Sequence, residues 1–463
     1  MRNTDSASSL TGNILRVFSA NLIIAIFGFI GSFIFPKILS IDSYVEYQTF
    51  LLYVGYIAIT HLGFPSGMMV KYAGSEYEDI DNKQYKAEIK LLFGILISFS
   101  ILFSIIALVK RDKIWWFLAL VTFPNGICAS YKSLLQAWNR FKAFGRLSTF
   151  LSVAIPCIGL IYYGVFKNLP GDIYIIIYII IYWIATFGIC IEIFRKISGA
   201  ASNRVFSKVN WEIEKIGAII VIGNYINVLF SSVDKQFVKI FYGNHEFAYY
   251  AFGLQMQAMM NIFISSISQP LFPAMAKGKF NKAEYSEIVH LLFIFGSLLG
   301  CAYFAASIIV KIFIKKYIPS LSVISIYFMA FPAMAVVNCL YVNLYKITGK
   351  MKEYIITLIS VLLLAIVLNA IFIWIFHEYT AVAIATVITY YIWLLIGSFQ
   401  FDFIEINIYD ILYLICFVLC FYFITRRVND WVGIFFFLGF DFVLANIFYK
   451  ETFLKYFKRV IKR

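Results

Sequence analysis

The sequence predicts an all-α polytopic membrane protein, and both its composition and the length of its apolar runs indicate this class. Hydrophobic residues make up 62% of the 463 positions and charged residues only 14%, whereas an average soluble domain is about half apolar and a quarter charged. Apolar runs of about 18 residues or more, each able to cross a bilayer core as a helix, recur from end to end. No stretch is long and polar enough to form a separate soluble domain.

About fourteen apolar spans can be distinguished, with short polar or basic segments between them. The first is longer than the hydrophobic region of a secretory signal peptide and ends without a small-residue cleavage site, so we expect it to remain as a helix. The predicted spans are residues 13–35, 47–69, 89–109, 114–135, 147–166, 173–194, 213–242, 246–273, 288–310, 322–345, 354–376, 379–400, 408–425 and 431–449.

The placement of lysine and arginine predicts that both termini are cytoplasmic. In that orientation the inner segments hold roughly twice as many lysines and arginines as the outer ones, as the positive-inside rule requires. The net charge of +14 then follows from topology and lipid contact, so no nucleic acid partner is predicted. The seven cysteines and four histidines show no metal-ligand spacing, so neither a metal nor a cofactor is expected.

Two basic turns, 210 residues apart, indicate an internal repeat. The turn at residues 139–142 reads Asn-Arg-Phe-Lys, and the turn at 349–352 reads Gly-Lys-Met-Lys. Before each turn a Phe-Pro pair, at residues 123–124 and 331–332, is expected to open a helix. Chance similarity between apolar segments is the competing interpretation.

A second match aligns Tyr47 with Tyr250, 203 residues later. We therefore expect two parallel six-helix lobes, residues 1–200 and 201–400, followed by two C-terminal helices and a basic cytoplasmic tail in residues 401–463. Transporters with parallel repeats of this kind bind their substrate between the halves and rock them for alternating access.

The seventh predicted span carries polar and charged side chains on one face, because their spacing follows the helical period. A lipid-facing aspartate deep in the bilayer would cost about 2–3 kcal/mol, so we expect this face to line a water-filled cavity. A structural Asp–Lys pair with snorkelling lysines is the alternative. The residues on this face are Asn224, Asn227, Ser231, Asp234, Lys235 and Lys239.

Other predicted spans add groups of the same kind. Gln257 and Asn261 share a face of the eighth span, and Lys132 lies in the fourth. Amides suit sugar hydroxyls and lysines suit phosphate, so these residues are candidates for substrate binding. Lys132 has snorkelling to the membrane face as its alternative role. Asp441, in the middle of the last span, is a candidate for ion coupling or for pairing with a polar neighbour.

Three segments carry a resemblance to a known family. Residues 231–253 read SSVDKQFVKIFYGNHEFAYYAFG, residues 268–277 read SQPLFPAMAK, and residues 344–354 read LYKITGKMKEY. Their order along the spans resembles the polysaccharide-export flippases of the multidrug/oligosaccharidyl-lipid/polysaccharide exporter superfamily, above all the O-antigen flippases. In that family the seventh helix carries an Asp, a basic residue and then an aromatic-Gly turn, and Asp234, Lys235 and the FYG that follows them fit this motif.

The resemblance implies a substrate class. It is an undecaprenyl-pyrophosphate-linked oligosaccharide, moved across a bacterial inner membrane with an ion gradient coupled through Asp234 or Asp441. The implied partners are this lipid, membrane lipids, and the glycan polymerase and chain-length proteins of the same pathway. The sequence departs from the family at Val45 and Ala248, where the family usually has Gly. No Gly-x-x-x-x-Gly-Lys-Ser/Thr loop is present, so ATP hydrolysis is not expected.

Two other classes of function stay open at the level of sequence. One is export of a different cargo, such as lipid II, a teichoic-type precursor or a small cationic drug. The other is a membrane enzyme, a glycan polymerase or an acyltransferase. Short outer loops and the lack of a His/Asp/Glu constellation disfavour the enzyme.

Overall fold

The computed structural model describes residues 27–73, 75, 77–78, 80–198, 211–278 and 280–452. Within these ranges the chain consists of helices and their connections, without a strand. Its contacts divide into two units, Met1–Leu229 and Phe230–Arg463, and the boundary falls inside one long helix. The fold class predicted from the sequence, an all-α polytopic membrane protein, is confirmed. The boundaries expected at residues 200 and 400 stay predictions.

The first unit contains seven helices and the start of an eighth. The second predicted span is a bent pair rather than one straight helix, because α2 and α3 diverge by 51° at a break where Leu62 and Gly63 adopt left-handed backbone angles. The helices are α1 (Phe27–Ile38), α2 (Ile41–Ile57), α3 (Phe64–Lys71), α4 (Asn82–Lys110), α5 (Lys113–Ala137), α6 (Phe141–Phe166), α7 (Gly171–Ile197) and α8 (Trp211–Phe241).

The second unit contains the rest of α8 and ten further helices. Its tenth predicted span is also bent, by 52°, between α12 and the segment Phe331–Ile347, which includes a π-helical turn at Val337–Tyr341. The helices are α9 (Asn244–Lys277), α10 (Lys282–Leu298), α11 (Cys301–Phe313), α12 (Ser320–Phe328), α13 (Phe331–Val336), α14 (Val342–Ile347), α15 (Met351–Phe376), α16 (Tyr379–Gln400), α17 (Ile408–Arg427) and α18 (Asp430–Phe448).

The predicted spans coincide with helices or bent helix pairs, although the first lies partly outside the described residues. Among those residues, nine helices are long and apolar enough to cross a membrane, and up to eleven if each bent pair counts as one span. The chain is therefore a multi-pass membrane protein. The total of fourteen spans stays a prediction, because the first predicted span lies partly outside the described residues and α1 is short.

The basic turns predicted to repeat have the same backbone geometry. Asn139 and Gly349 adopt left-handed angles, with φ of 55° and 70°. In each case the next residue is the N-cap of a helix of 26 residues. These helices, α6 and α15, both end at a left-handed residue, Lys167 and His377. Asparagine and glycine are the residues that adopt this conformation at least cost, which explains their presence at the turns.

One expectation about the repeat is wrong. Phe331 and Pro332 do open α13, but Pro124 lies inside α5. A proline there removes the hydrogen bond to the carbonyl of Leu120, four residues earlier. The indole N–H of Trp183, on α7, donates to that carbonyl oxygen at 3.0 Å. The helix continues through the proline because a neighbouring helix supplies the lost donor.

Close packing between α10 and α13 requires a glycine at position 296, so a larger residue there should destabilise the protein. A Cβ added to Gly296 would lie 2.5 Å from the Cα of Pro332 and 2.7 Å from the carbonyl oxygen of Phe331, where rigid backbone cannot yield. We expect Gly296→Ala to destabilise the protein by about 1–3 kcal/mol. Gly94→Ala on α4, where an added Cβ meets nothing within 4 Å, should be neutral or stabilising. Thermal unfolding of the purified protein compares the two, and equal midpoints would contradict the packing argument.

Candidate functional site

The carboxylate of Asp234 is enclosed within the second unit. Its side chain belongs to α8 and the residue is only 2% exposed. The hydroxyl of Tyr250, on α9, donates to Oδ2 at 3.2 Å, and the hydroxyl of Tyr327, on α12, donates to the same oxygen. The two hydroxyl oxygens lie 2.8 Å apart. The backbone N–H of Lys235 donates to Oδ1 at 2.6 Å. Three helices therefore meet at this one carboxylate.

The sequence identified Asp234 as a candidate, but it did not identify Tyr250 and Tyr327, whose hydroxyls donate to the carboxylate. Tyr327 lies 93 residues further along the chain, on a helix with no polar stripe, so no local pattern marks it. Tyr250 appeared only as the partner of Tyr47 in the repeat.

A further buried polar group is the amide of Asn369, on α15, which is 0% exposed and has no hydrogen-bond partner among the described residues.

The two lysines of the seventh span lie beside an aromatic ring. The Nζ atoms of Lys235 and Lys239 are 5.7 Å and 4.9 Å from the ring centroid of Phe247, on α9. A lysine over an aromatic face is attracted by the ring quadrupole. Both side chains are half-buried. Asp234 thus interacts with the two tyrosine hydroxyls and with Lys235, and the ammonium groups of both lysines lie near Phe247.

The amides predicted on α8 and α9 differ in their exposure. Asn224 and Ser231 are exposed, whereas Asn227 is half-buried. Gln257 is 8% exposed, and its amide nitrogen lies 3.6 Å from the sulfur of Met334. Asn261 is half-buried.

The remaining predicted residues, Lys132 and Asp441, belong to different units. Lys132 is half-buried in the first unit. Asp441 is 1% exposed on α18 of the second unit, where the hydroxyl of Tyr413 donates to it at 3.5 Å. The structure describes each unit by itself, so the convergence of Lys132 and the α8 residues on one cavity stays a prediction.

A long apolar groove runs between α12, α16 and α17 of the second unit. It encloses a cavity of about 790 Å³. Its lining on α17 extends from Ile411 to Arg426, or about 22 Å at 1.5 Å per residue. Glu378 and Arg426, at the start of α16 and the end of α17, are the charged residues of the lining, and the guanidinium of Arg426 stacks on the ring of Tyr422 at 5.2 Å. Most of the other lining residues are apolar, and the exposed ones include Ile384, Leu395, Ile415 and Leu419.

The comparison with protein families identifies the chain. Residues 10–279, more than half of its length, match the sequence model of the polysaccharide biosynthesis protein family. The chain belongs to this family, as the residues of the seventh span and the order of the motifs predicted. Among curated protein sequences no match was found.

Two solved structures share the fold. The lipid II flippase MurJ in an inward closed conformation superposes with a TM-score of 0.69 at 16% identity, over 94% of this chain and 99% of that one. The MATE multidrug transporter DinF-BH gives a TM-score of 0.53 at 12% identity, over 84% of this chain and 95% of that one. Both belong to the multidrug/oligosaccharidyl-lipid/polysaccharide exporter superfamily, whose fold this chain has. These two structures are of a flippase and of a transporter.

The contact between Tyr327 and Asp234 predicts a measurable coupling. Removing the hydroxyl with Tyr327→Phe leaves a buried carboxyl group short of a donor, which should cost about 1–3 kcal/mol of stability. In an Asp234→Leu background the same change should cost less, because the acid is already absent and the hydroxyl of Tyr250 is the partner that remains. Thermal unfolding of the four proteins in detergent measures the coupling, with Tyr409→Phe, an exposed tyrosine of α17, as control. Additive effects would show that the tyrosine acts independently of the acid.

Proposed function

We propose that this chain is a flippase for an undecaprenyl-pyrophosphate-linked oligosaccharide, an O-antigen or similar surface polysaccharide repeat unit, in the bacterial inner membrane. It would work by alternating access with both termini in the cytoplasm. The observation that carries the proposal is the long apolar groove on the membrane-spanning helices of a polysaccharide biosynthesis protein. An amphiphile with a polyprenyl tail needs such a surface, whereas a small cationic drug does not.

The groove suits the tail of this lipid in shape and polarity. Its length of about 22 Å covers most of a hydrocarbon core of about 30 Å, and its lining is apolar until Glu378 and Arg426. In the predicted orientation Arg426 lies at the periplasmic end. A guanidinium there can hold a pyrophosphate after it has crossed, because arginine binds phosphate through two parallel hydrogen bonds. The tail can then stay in the bilayer while the head group moves.

The polar head group would be bound by the cations and amides of the α8 region. Lys235, Lys239 and Lys132 supply positive charge for the pyrophosphate and for acidic sugars, and at an effective dielectric of about 20 one cation contributes about 4 kcal/mol at 4 Å. The amides predicted on α8 and α9 suit sugar hydroxyls, and they are Asn224, Asn227, Gln257 and Asn261, with the hydroxyl of Ser231. Asp234 is a candidate for ion coupling, because two of the donors to its buried carboxyl group are tyrosine hydroxyls, which can rearrange.

The test of the cargo is the side of the membrane on which lipid-linked sugars accumulate. Cells that lack this chain should accumulate undecaprenyl-linked oligosaccharide on the cytoplasmic face and lose the surface polysaccharide, and its return on a plasmid should restore both. Unchanged glycan combined with a peptidoglycan defect would favour lipid II as cargo. Unchanged glycan combined with increased drug sensitivity would favour export of a small molecule.

The charge of Lys235 predicts the result of two substitutions in the same assay. Lys235→Arg keeps the charge and should retain export, whereas Lys235→Gln should reduce it about tenfold, as a loss of ~1.4 kcal/mol of stabilisation would. Protein levels in the membrane must be equal for the comparison. If Lys235→Gln and Lys132→Gln both export at the wild-type rate, the cations do not bind phosphate, and the amides and hydroxyls bind the head group alone.

A filled groove should block transport without unfolding the protein. Ile415→Trp and Leu419→Trp place bulk among exposed groove residues of α17, and we expect each to reduce export about tenfold. Leu438→Trp, at a residue of α18 that is 40% exposed and does not line the groove, is the matched control and should export normally. Equal activity of all three variants would remove the groove from the transport path.

A further inference from the structure

Four helices of the second unit, α10, α11, α17 and α18, enclose a buried seam of polar and aromatic layers. At one end the carboxylate of Asp430 accepts from Ser307 Oγ at 2.9 Å and from Lys311 Nζ at 2.5 Å. The next layer consists of aromatic rings with centroids 5.3–6.4 Å apart, and its members are Phe304, Phe417, Phe421 and Phe437. This layer closes the seam toward the face of the membrane where α18 begins.

The third layer holds Asp441. The hydroxyl of Tyr413 donates to its Oδ1 at 3.5 Å and lies 2.7 Å from Ser297 Oγ. From α11, Cys301 lies close enough to interact with the acid electrostatically. Within the described ranges, no lysine, arginine or histidine forms an ion pair with this carboxyl group. Asp441 is thus a deeply buried acid without a cation.

The fourth layer, at the other face, connects to solvent. Asp410 is 0% exposed, and its Oδ1 lies 2.8 Å from the hydroxyl of Tyr449 and 3.3 Å from Nε2 of His290. The imidazole side chain is 18% exposed and stacks on the Tyr449 ring at 4.2 Å. Ser286 Oγ lies 3.4 Å from the same Nε2, and Tyr341 faces Asp410 from the π-helical turn.

The two layers are linked, and they offer their acids different partners. The rings of Tyr413 and Tyr449 lie 4.8 Å apart. Asp410 accepts from Tyr449 and, through a capping box, from the backbone N–H of Asn407 at 2.9 Å, and it lies 3.3 Å from Nε2 of His290. Asp441 has only the hydroxyls of Tyr413 and Ser297 as hydrogen-bond partners among the described residues, and lies seven residues, or about 10 Å, from the end of α18.

The chemistry of this position favours a proton over a metal cation. An ionised carboxylate without a partner is costly at such depth, whereas the neutral acid is not. Hard divalent cations take six or more oxygen ligands, and the groups near Asp441 are one phenol, one serine hydroxyl and one thiol. Histidine is the side chain that ordinarily exchanges protons near neutral pH, and His290 stands where the seam meets solvent.

We propose that Asp441 holds an exchangeable proton, and that His290, Asp410 and Tyr449 give it access to the membrane face where α17 begins. Within each layer the tyrosine hydroxyl gives up its own proton as it accepts the next, so no charge stays on Tyr449 or Tyr413. In the predicted topology this face is cytoplasmic. The consequence for transport rests on the proposed function: the ion coupled to movement of the lipid-linked glycan is a proton.

Infrared difference spectroscopy of the full-length protein, reconstituted in lipid, tests the site without cargo. Asp441→Asn should remove the carbonyl stretch of a protonated carboxylic acid. Tyr413→Phe should shift this band but keep it, and Asp402→Asn, at an exposed position, should leave it unchanged. After transfer to D2O the band should shift, and His290→Gln should slow that exchange about tenfold. His377→Gln, at an exposed position, should not.

The outcomes separate the proton site from the transport function. Loss of carboxylate bands alone in Asp441→Asn would overturn the proposal, and so would an exchange rate that His290→Gln leaves unchanged. If the band behaves as expected while cells without the chain export glycan normally, the proposed function fails and the proton site stands. If export depends on the chain but Asp441 is ionised, the site fails, and Asp234 becomes the acid to test for coupling.

Discussion

The structure depends on one constraint: inside a bilayer every backbone polar group must find its partner within the protein. Two places where the helical ladder is interrupted within spans show how this chain meets it. At Pro124 the indole of Trp183 donates to the freed carbonyl. At the π-helical turn Ser268 Oγ donates to the carbonyl of Asn338 at 3.1 Å, and the amide of Asn343 donates to that of Cys339 at 2.9 Å. Bends and proline are tolerated where side chains replace the lost bonds.

The same constraint explains why the buried polar side chains occur in clusters. An acid inside the bilayer is stable only beside donors or as the neutral form. Asp234 therefore lies between two tyrosine hydroxyls, and Asp430 pairs with Lys311 near the end of a helix. Asp441 is the exception, since neutral hydroxyls, of Tyr413 and Ser297, face it and no cation pairs with it among the described residues. Buried acids without a cation are unusual, and in a transporter fold they are natural places for chemistry that needs a change of charge.

The proposed cargo, a lipid-linked sugar, would present the protein with two opposite requirements. Its tail is stable only against apolar surface, and its head group only against cations, amides and hydroxyls. The chain separates these chemistries, because the groove between α12, α16 and α17 is apolar while α8 carries lysines and amides. The charged residues Glu378 and Arg426 mark the end of the groove. This division is the physical reason for preferring an amphiphilic cargo to a small soluble one.

The sequence by itself determined which segments are helices, because apolar runs of this length have no other stable form in a membrane. It also determined the repeated basic turns, since Asn139 and Gly349 adopt the same left-handed geometry. Only the tertiary structure decided which residues meet. Helical period assigns a residue to a face but does not say what that face contacts, so Tyr327 beside Asp234 and His290 beside Asp410 could not be predicted. The continuation of α5 through Pro124 could not be predicted either. It depends on a tryptophan of another helix, because packing and not neighbouring sequence supplies the donor that replaces the lost hydrogen bond.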